Sequence, residues 1–370
     1  MSLILDGSNG ITFPNSSTQA VGFYGFKNRI INGAMVIDQR NSGASVTPTA
    51  SAYTLDRWFA SISQSSKFSV QQNAGSVTPP VGFVNYLGVT SLSAYTVGAS
   101  EFFQITQQIE GLNIGDLGWG TANAKTVTLS FQVYSSLTGT FGGVLANGAF
   151  NRSYPFSYSI PLANTWTTIS ITIAGDTSGT WLTTNGIGIY TMFSLGSGST
   201  VSGTAGSWAG AGYRSATGAT SVVGTNGATF YITGVQLEAG STATSFDYRP
   251  YGTELSLCQR YCYAFSGVGG YSAMPFSGFV QANGSVARLI TVFPVTMRGA
   301  PSLTTPAANS IIIQGPSAIN YTPTALALTS NSAQLQSAMV DATVSGQATL
   351  GCVVFDNNTS NSKFIFSAEL

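Results

Sequence analysis

From Thr126 to Tyr134 the chain runs TVTLSFQVY, a strict alternation of apolar and polar residues. Val127, Leu129, Phe131 and Val133 fall on one side of an extended backbone, and Thr128, Ser130 and Gln132 on the other. A period of two marks a strand with one buried face. TTISITI (167–173) repeats the pattern through Ile169, Ile171 and Ile173. GIGIYTMF (186–193), ATFYITGVQLE (228–238) and FFQITQQI (102–109) extend the set. Short strands separated by Gly, Asn and Ser turns, with no helical apolar period of useful length, predict an all-β sandwich or jelly roll over residues 27–248.

The flanks read differently. In residues 1–26, the apolar pieces Leu3–Leu5 and Ile11–Phe13 are separated by Asp-Gly-Ser-Asn-Gly and followed by Pro14-Asn15-Ser16-Ser17. That is hairpin chemistry, because Gly and Asn accept positive φ. A lone hairpin is marginal in water, so this segment is expected to dock on another chain or another part of a larger particle. Residues 196–227 are nearly low-complexity and are expected to form long loops around one or two short strands. Residues 249–370 predict a second, C-terminal β domain. It is entered through one short helix in YGTELSLCQRYCYAF (251–265), capped by Thr253 with Glu254 in its first turn. Leu257 and Tyr261 would lie one turn apart, as would Cys258 and Cys262. ARLITVF (287–293), SIIIQG (310–315), ALALTS (325–330), GCVVF (351–355) and KFIFSAEL (363–370) predict its strands.

Charge narrows the function. Only 7% of the 370 residues are charged, against roughly 25% in an ordinary soluble domain. Thirteen basic residues balance thirteen acidic ones, and there is no histidine. Between Val127 and Tyr248 the only charged residues are Arg152, Asp176, Arg214, Glu238 and Asp247. Nothing supplies the basic patch that nucleic-acid binding needs. Histidine-based triads and His-liganded zinc are excluded, and three cysteines cannot build a Cys₄ site. Cys258 and Cys262 are expected as small residues on a buried helix face. No metal or cofactor is expected. No glycine-rich stretch matches a phosphate loop. The opening MSLILDGSNG lacks a positive segment and a long apolar run, which predicts synthesis in a cytoplasm without a signal peptide and without membrane insertion. A neutral surface made soluble by Ser, Thr, Asn and Gln favours association, so an oligomer is expected.

Two residue classes are candidates for chemistry. Glycoside hydrolysis needs two carboxylates roughly 5–10 Å apart, and Asp56, Glu101, Glu110 and Asp116 lie near one another in sequence. No motif assigns them acid and base roles, so the chain is expected to be no enzyme and to have no catalytic residue. Among the aromatics, Trp119 lies between glycines in IGDLGWGTAN, and Trp208 lies in AGSWAGAGYRS beside Tyr213 and Arg214. A flat ring on a glycine-rich loop can stack on a sugar face while adjoining polar groups orient it. Trp119, Trp208, Tyr213 and Arg214 are therefore the ligand-binding candidates. The alternative has Trp58, Trp166 and Trp181 filling the core, with Trp119 and Trp208 plugging its ends.

NRIINGAMVIDQRNSG (28–43) followed by YTLDRW (53–58) resembles the opening of the jelly-roll domain of bacteriophage tail-fibre and minor tail proteins. GATFYITGVQLEAGSTATSFDYRPYGTELSLCQRYCYAF (227–265) is similar to that domain's last strand and exit, GITFPNSSTQA (10–20) to tail-fibre elements that precede it, and SAEL (367–370) to a segment of such chains. The likeness covers residues 1–265 well and the C-terminal domain weakly. It implies a virion protein: a homotrimeric tail fibre or receptor-binding adhesin with a carbohydrate-binding-module-like jelly roll. Such a protein would contact host-surface glycan and join other virion proteins through its N-terminal segment. A purely structural head fibre, decoration or connector protein is the alternative, and a capsule-degrading enzyme using Glu110 or Asp116 is a third reading. The resemblance extends to SWAGAGYRSATGATSVVGTNG (207–227), which would make Trp208 a fold element. No catalytic residue is implied.

Overall fold

The computed structural model describes residues 4–6, 10–12, 18–19, 26–268, 270–281, 284–315, 320–329, 334–345, 349–357 and 362–370. Near the N-terminus, β1 (Ile4–Asp6), β2 (Gly10–Thr12) and β3 (Thr18–Gln19) pair antiparallel in sequence order. The expected hairpin thus gains a third strand. The turn at Pro14-Asn15-Ser16-Ser17 and residues 7–9 lie outside the described residues.

The next strands are β4 (Ala52–Leu55), β5 (Trp58–Ile62), β6 (Phe68–Gln72), β7 (Leu87–Ser91), β8 (Phe102–Glu110), β9 (Val127–Ser135) and β10 (Gly139–Asn147). β11 (Ser153–Ile160), β12 (Thr167–Ile173), β13 (Ile187–Ser197), the two-residue pair β14 (Ser202–Gly203) and β15 (Ser215–Ala216), and β16 (Thr229–Ala239) follow. Six of these form one antiparallel sheet in the order β11-β10-β13-β8-β5-β4, and five form a second in the order β12-β9-β16-β7-β6. The chain crosses repeatedly between the sheets, which makes the body a jelly-roll sandwich. Its core holds the alternating residues: Val127, Leu129, Phe131 and Val133 from β9 meet Phe103, Ile105 and Ile109 from β8.

One strand had no counterpart in the sequence reading, and one tryptophan is placed differently from it. β10 was hidden by its glycines, which a sequence reading assigns to turns. An ideal Cβ on Gly143 would lie 2.3 Å from the Phe156 ring, and one on Gly142 2.6 Å from the Ser215 hydroxyl. These glycines let other chain segments close over a strand. Trp166 was expected in the core, but it is half-buried outside the five-stranded sheet, packed against Tyr86 and Tyr134 with its indole N–H donating to Thr78 O. Trp58 and Trp181 are buried as expected.

Helix α1 spans Tyr251–Gln259, shorter than expected. Pro250, and not Thr253, is its N-cap; the Thr253 N–H donates to Pro250 O from inside the first turn. Tyr261 and Cys262 lie beyond the helix, so neither forms a helical pair with Leu257 or Cys258. Cys262 instead opens β17 (Cys262–Ser266), which pairs with the last strand and packs Tyr263 and Phe265 against the C-terminal core. Then come β18 (Ala273–Val280), β19 (Val286–Val292), β20 (Ser302–Thr304), β21 (Ile311–Gln314) and β22 (Asn320–Tyr321). β23 (Ala325–Leu328), β24 (Ser337–Thr343), β25 (Thr349–Asp356) and β26 (Lys363–Ser367) complete the chain. They form a sheet β17-β26-β20 and a sheet β22-β21-β25-β18-β19-β24-β23 around a separate core that includes Phe276, Leu289, Ile313, Val340 and Phe364. No helix among the described residues is long and apolar enough to cross a membrane.

Charges join the sandwich to the C-terminal strands. The tail Ala368–Leu370 leaves β26 and places Glu369 against Arg57 and, at 3.0 Å, Arg40. Arg57 also lies 3.6 Å from the centre of the Tyr261 ring. Glu110, at the end of β8, accepts hydrogen bonds from Arg260 at 2.7 and 3.0 Å and from the Tyr261 hydroxyl. Burial raises the Glu110 pKa, but those hydrogen bonds outweigh it and hold the carboxyl below its usual range.

Breaking a buried pair strands its partner's charge. Glu369→Ala leaves Arg57, 1% exposed at its side chain, without its carboxylate. The expected loss in urea denaturation is about 3–5 kcal/mol, and a loss within about 1 kcal/mol would mean the pair behaves as a solvated surface bridge. Asp56 sets a pH dependence. Burial pushes its carboxyl up from 3.8 to about 6, against the lowering effects of Arg40 and of hydrogen bonds from Gln39. The folded state therefore holds this proton more tightly than the unfolded state. Its contribution is full below pH 3.8 and is lost as pH rises through about 6. Asp56→Asn should flatten the fall in urea midpoint between about pH 4 and about pH 6; an unchanged slope would assign that fall to other groups.

Candidate functional site

β8 sends Phe103, Ile105 and Ile109 into the core. By alternation Phe102, Gln104, Thr106, Gln108 and Glu110 stand on the outer face of the six-stranded sheet. Register builds rows across that face. Thr106 lies opposite Phe59 of β5 and Met192 of β13, and Met192 opposite Val144 of β10. Gln104 lies opposite Ser61 and Ser194, and Gln108 opposite Tyr190. Val144, Ala146 and Met192 form an apolar cluster there, with Phe150, Tyr190 and Tyr213 packed against it.

Two other parts of the chain border this face. On the β10 and β13 side lies the glycine-rich segment that carries β14 and β15. Ser215 and Ala219 sit over Gly142, the Ser153 hydroxyl donates to Ala211 O, and the Tyr213 N–H donates to the Ser153 oxygen. The Gln104 amide donates to Arg214 O. These contacts deliver the Arg214 guanidinium between two rings, 4.3 Å from the centre of Phe102 and 3.9 Å from that of Phe150. On the β4 side, the Tyr53 hydroxyl lies 3.1 Å from Gln108 Oε1 and 3.3 Å from Leu370 O, and its ring packs on Phe59.

Between these borders some polar atoms have no partner. Gln104 Oε1 and Thr106 Oγ1 are shielded and make no hydrogen bond, although their residues are 0% and 2% exposed. Phe59, Tyr190 and Arg214 beside them are half-buried. The guanidinium of Arg214 also donates to no partner among the described residues, and none of its nitrogens is sealed from solvent. Burial lowers its pKa, against a smaller raising effect of the Tyr190 phenol.

The four ligand-binding candidates divide into two groups. Trp119 and Trp208 come together away from Arg214. With Trp181 they make three edge-to-face contacts at 4.7–5.4 Å. Trp119 is buried and its indole N–H donates to Lys125 O; Trp208 is half-buried, donates to Ala174 O and packs on Tyr154. An open cleft lined by Tyr154, Phe156, Ser157, Ile171, Ala205 and Gly206 adjoins that last ring. Tyr213 and Arg214 belong to the sheet face. Phe59, Gln104, Thr106, Gln108 and Tyr190 escaped the sequence reading. Their one signal was that the outward half of FFQITQQI carries Gln and Thr with no charge until Glu110.

The four carboxylates each have protein partners. Asp56 accepts from Gln39, Glu110 from Arg260 and Tyr261, and Asp116 from Arg29. Glu101 accepts from the Tyr95 hydroxyl, the Gln64 amide and Gly98 N–H. Among the described residues no group of three or more His, Cys, Asp or Glu could hold a metal ion.

No family model and no curated protein matches the chain. Solved structures similar to it include a family 4 carbohydrate-binding module, 16% identical over 56% of this chain and 98% of the other, with a TM-score of 0.28. A family 11 carbohydrate-binding module from Clostridium thermocellum, in complex with a β-1,3-1,4-mixed-linked tetrasaccharide, is 16% identical over 50% and 91%, with a TM-score of 0.27. The enzymatically active domain of tailspike protein 4 of bacteriophage CBA120 is 10% identical over 58% of this chain and 21% of the other, with a TM-score of 0.29.

Proposed function

We propose that the chain is a glycan-binding virion protein, a homotrimeric tail fibre or receptor-binding adhesin of a bacteriophage, and that it binds without catalysis. The carrying observation is the outer face of the six-stranded sheet. There, half-buried Phe59 lies opposite Thr106 and half-buried Tyr190 opposite Gln108, while Gln104 Oε1 and Thr106 Oγ1 have no hydrogen-bond partner among the described residues. Rings that stack on the apolar face of a pyranose, next to polar atoms that take up its hydroxyls, are what sugar recognition requires. The near absence of charge suits a surface meeting hydroxyls, because neutral hydrogen bonds are insensitive to external salt. The resemblance of residues 28–58 and 227–265 to phage fibre domains supports the setting. The three-stranded N-terminal sheet would then join the fibre to the particle.

Thr106→Val and Tyr190→Ala test the face against a panel of bacterial surface polysaccharides. Removing an unpartnered hydroxyl is neutral or stabilising for the fold. Loss of binding by about tenfold or more in Thr106→Val, with the melting temperature unchanged, is therefore expected from a ligand contact. Full binding by both variants would overturn the site. The assembly is checked separately by light scattering at micromolar concentration: a trimer is expected, and a monomer would remove the fibre reading. Intact protein that leaves phage adsorption unaffected would favour a purely structural virion part.

A further inference from the structure

Arg214 is an exception within this chain. Seven of the nine arginines pair with carboxylates: Arg29, Arg40, Arg57, Arg152, Arg249, Arg260 and Arg288. Arg298 donates to three backbone carbonyls, those of Asn185, Ala368 and Glu369. Arg214 alone has no acceptor for its guanidinium among the described residues, and it lies on the outer face of the six-stranded sheet.

Its setting is built. The backbone N–H donates to Val201 O and the backbone carbonyl accepts from Gln104, so both ends of the peptide unit are fixed. Phe102 and Phe150 hold the guanidinium carbon between their rings. Ring stacking offsets part of the cost of removing a guanidinium from water but satisfies none of its N–H donors. The donors are left pointing out around the rim of the planar group, in the fork that matches a carboxylate in two parallel hydrogen bonds. Among the described residues no carboxylate pairs with Arg214.

We propose that this face takes a saccharide bearing a carboxylate, a hexuronate or a sialic acid, with Arg214 as the carboxylate receptor. Tyr190, packed on Phe150, supplies the stacking surface beside it, Phe59 is a second ring opposite Thr106, and Gln104 and Thr106 meet the hydroxyls. The inference deepens the glycan-binding reading and rests on it.

The test is isothermal titration of the full chain with three probes: an oligogalacturonate, an α2,8-linked oligosialate, and the carboxyl-reduced form of whichever binds. Binding of one acidic probe is expected, weakened about tenfold or more by carboxyl reduction and by Arg214→Gln, and weakened by added salt. Arg214→Lys keeps the charge without the fork and should fall between wild type and Arg214→Gln. Melting temperatures identify a variant that has lost its fold; in that event carboxyl reduction of the probe, which leaves the protein untouched, decides. Equal affinity for the acidic probe and its reduced form overturns the role of Arg214 and leaves glycan binding standing. Binding of neutral polysaccharides alone does the same. Binding of no polysaccharide of either kind removes both readings.

Discussion

Strand β8 is buried on both faces, and much of the molecule is arranged around its outward polar side chains. A polar group removed from water without a hydrogen bond costs kilocalories, so each must find a partner. Gln104 takes the backbone of the glycine-rich segment at Arg214. Gln108 takes the hydroxyl of Tyr53. Glu110 takes Arg260 and Tyr261 at the exit of α1. On the inner side Gln107 exchanges two hydrogen bonds with the backbone of Ile31, tying down the segment before β4. One strand thus collects contacts from four distant parts of the chain. Thr106 stands at its centre, between the segments that Gln104 and Gln108 hold, and its hydroxyl has no hydrogen-bond partner among the described residues.

The scarcity of charge takes on a structural meaning. Several ionised groups pair with one another across long sequence separations. Glu369 meets Arg40 and Arg57, and Glu110 meets Arg260. A charge spent in a buried pair needs its partner in place, so these pairs specify how the ends of the chain close on the sandwich more than they stabilise it. An arginine left out of that scheme, and held by aromatic rings alone, is conspicuous for the same reason.

Legibility followed the physics of each element. β9 and β12 were plain because one face of each meets the core and the other meets polar surroundings, which writes a period of two into the sequence. β10 was not, because GTFGGVLAN uses glycine for close approach and its outer face is covered by the segment around Ser215. The helix was overread: Leu257, Cys258, Tyr261 and Cys262 are spaced for a helix, but Tyr261 and Cys262 belong to a strand entry where Tyr261 must reach Glu110. In the site, Arg214 and Tyr213 stood out by residue type in a nearly uncharged stretch. Thr106 and Gln104 could not, since what distinguishes them is a missing partner, and a partner's absence is a property of the assembled sheet.

The glycine-rich segment looks like a flexible loop by composition, yet its glycines remove freedom here. A Cβ on Gly203 would lie 2.3 Å from the Tyr213 ring, and one on Gly212 2.2 Å from Phe150 O. Neither glycine has a positive φ, so close packing and not backbone conformation is what requires them. Trp208 pins the same segment through Ala174 and two other indoles. A loop fastened on both sides of Arg214 pays its ordering entropy during folding, not on meeting a ligand. Widening either glycine would therefore loosen the guanidinium before it removed any contact, and affinity should fall through the ordering that binding would then have to supply.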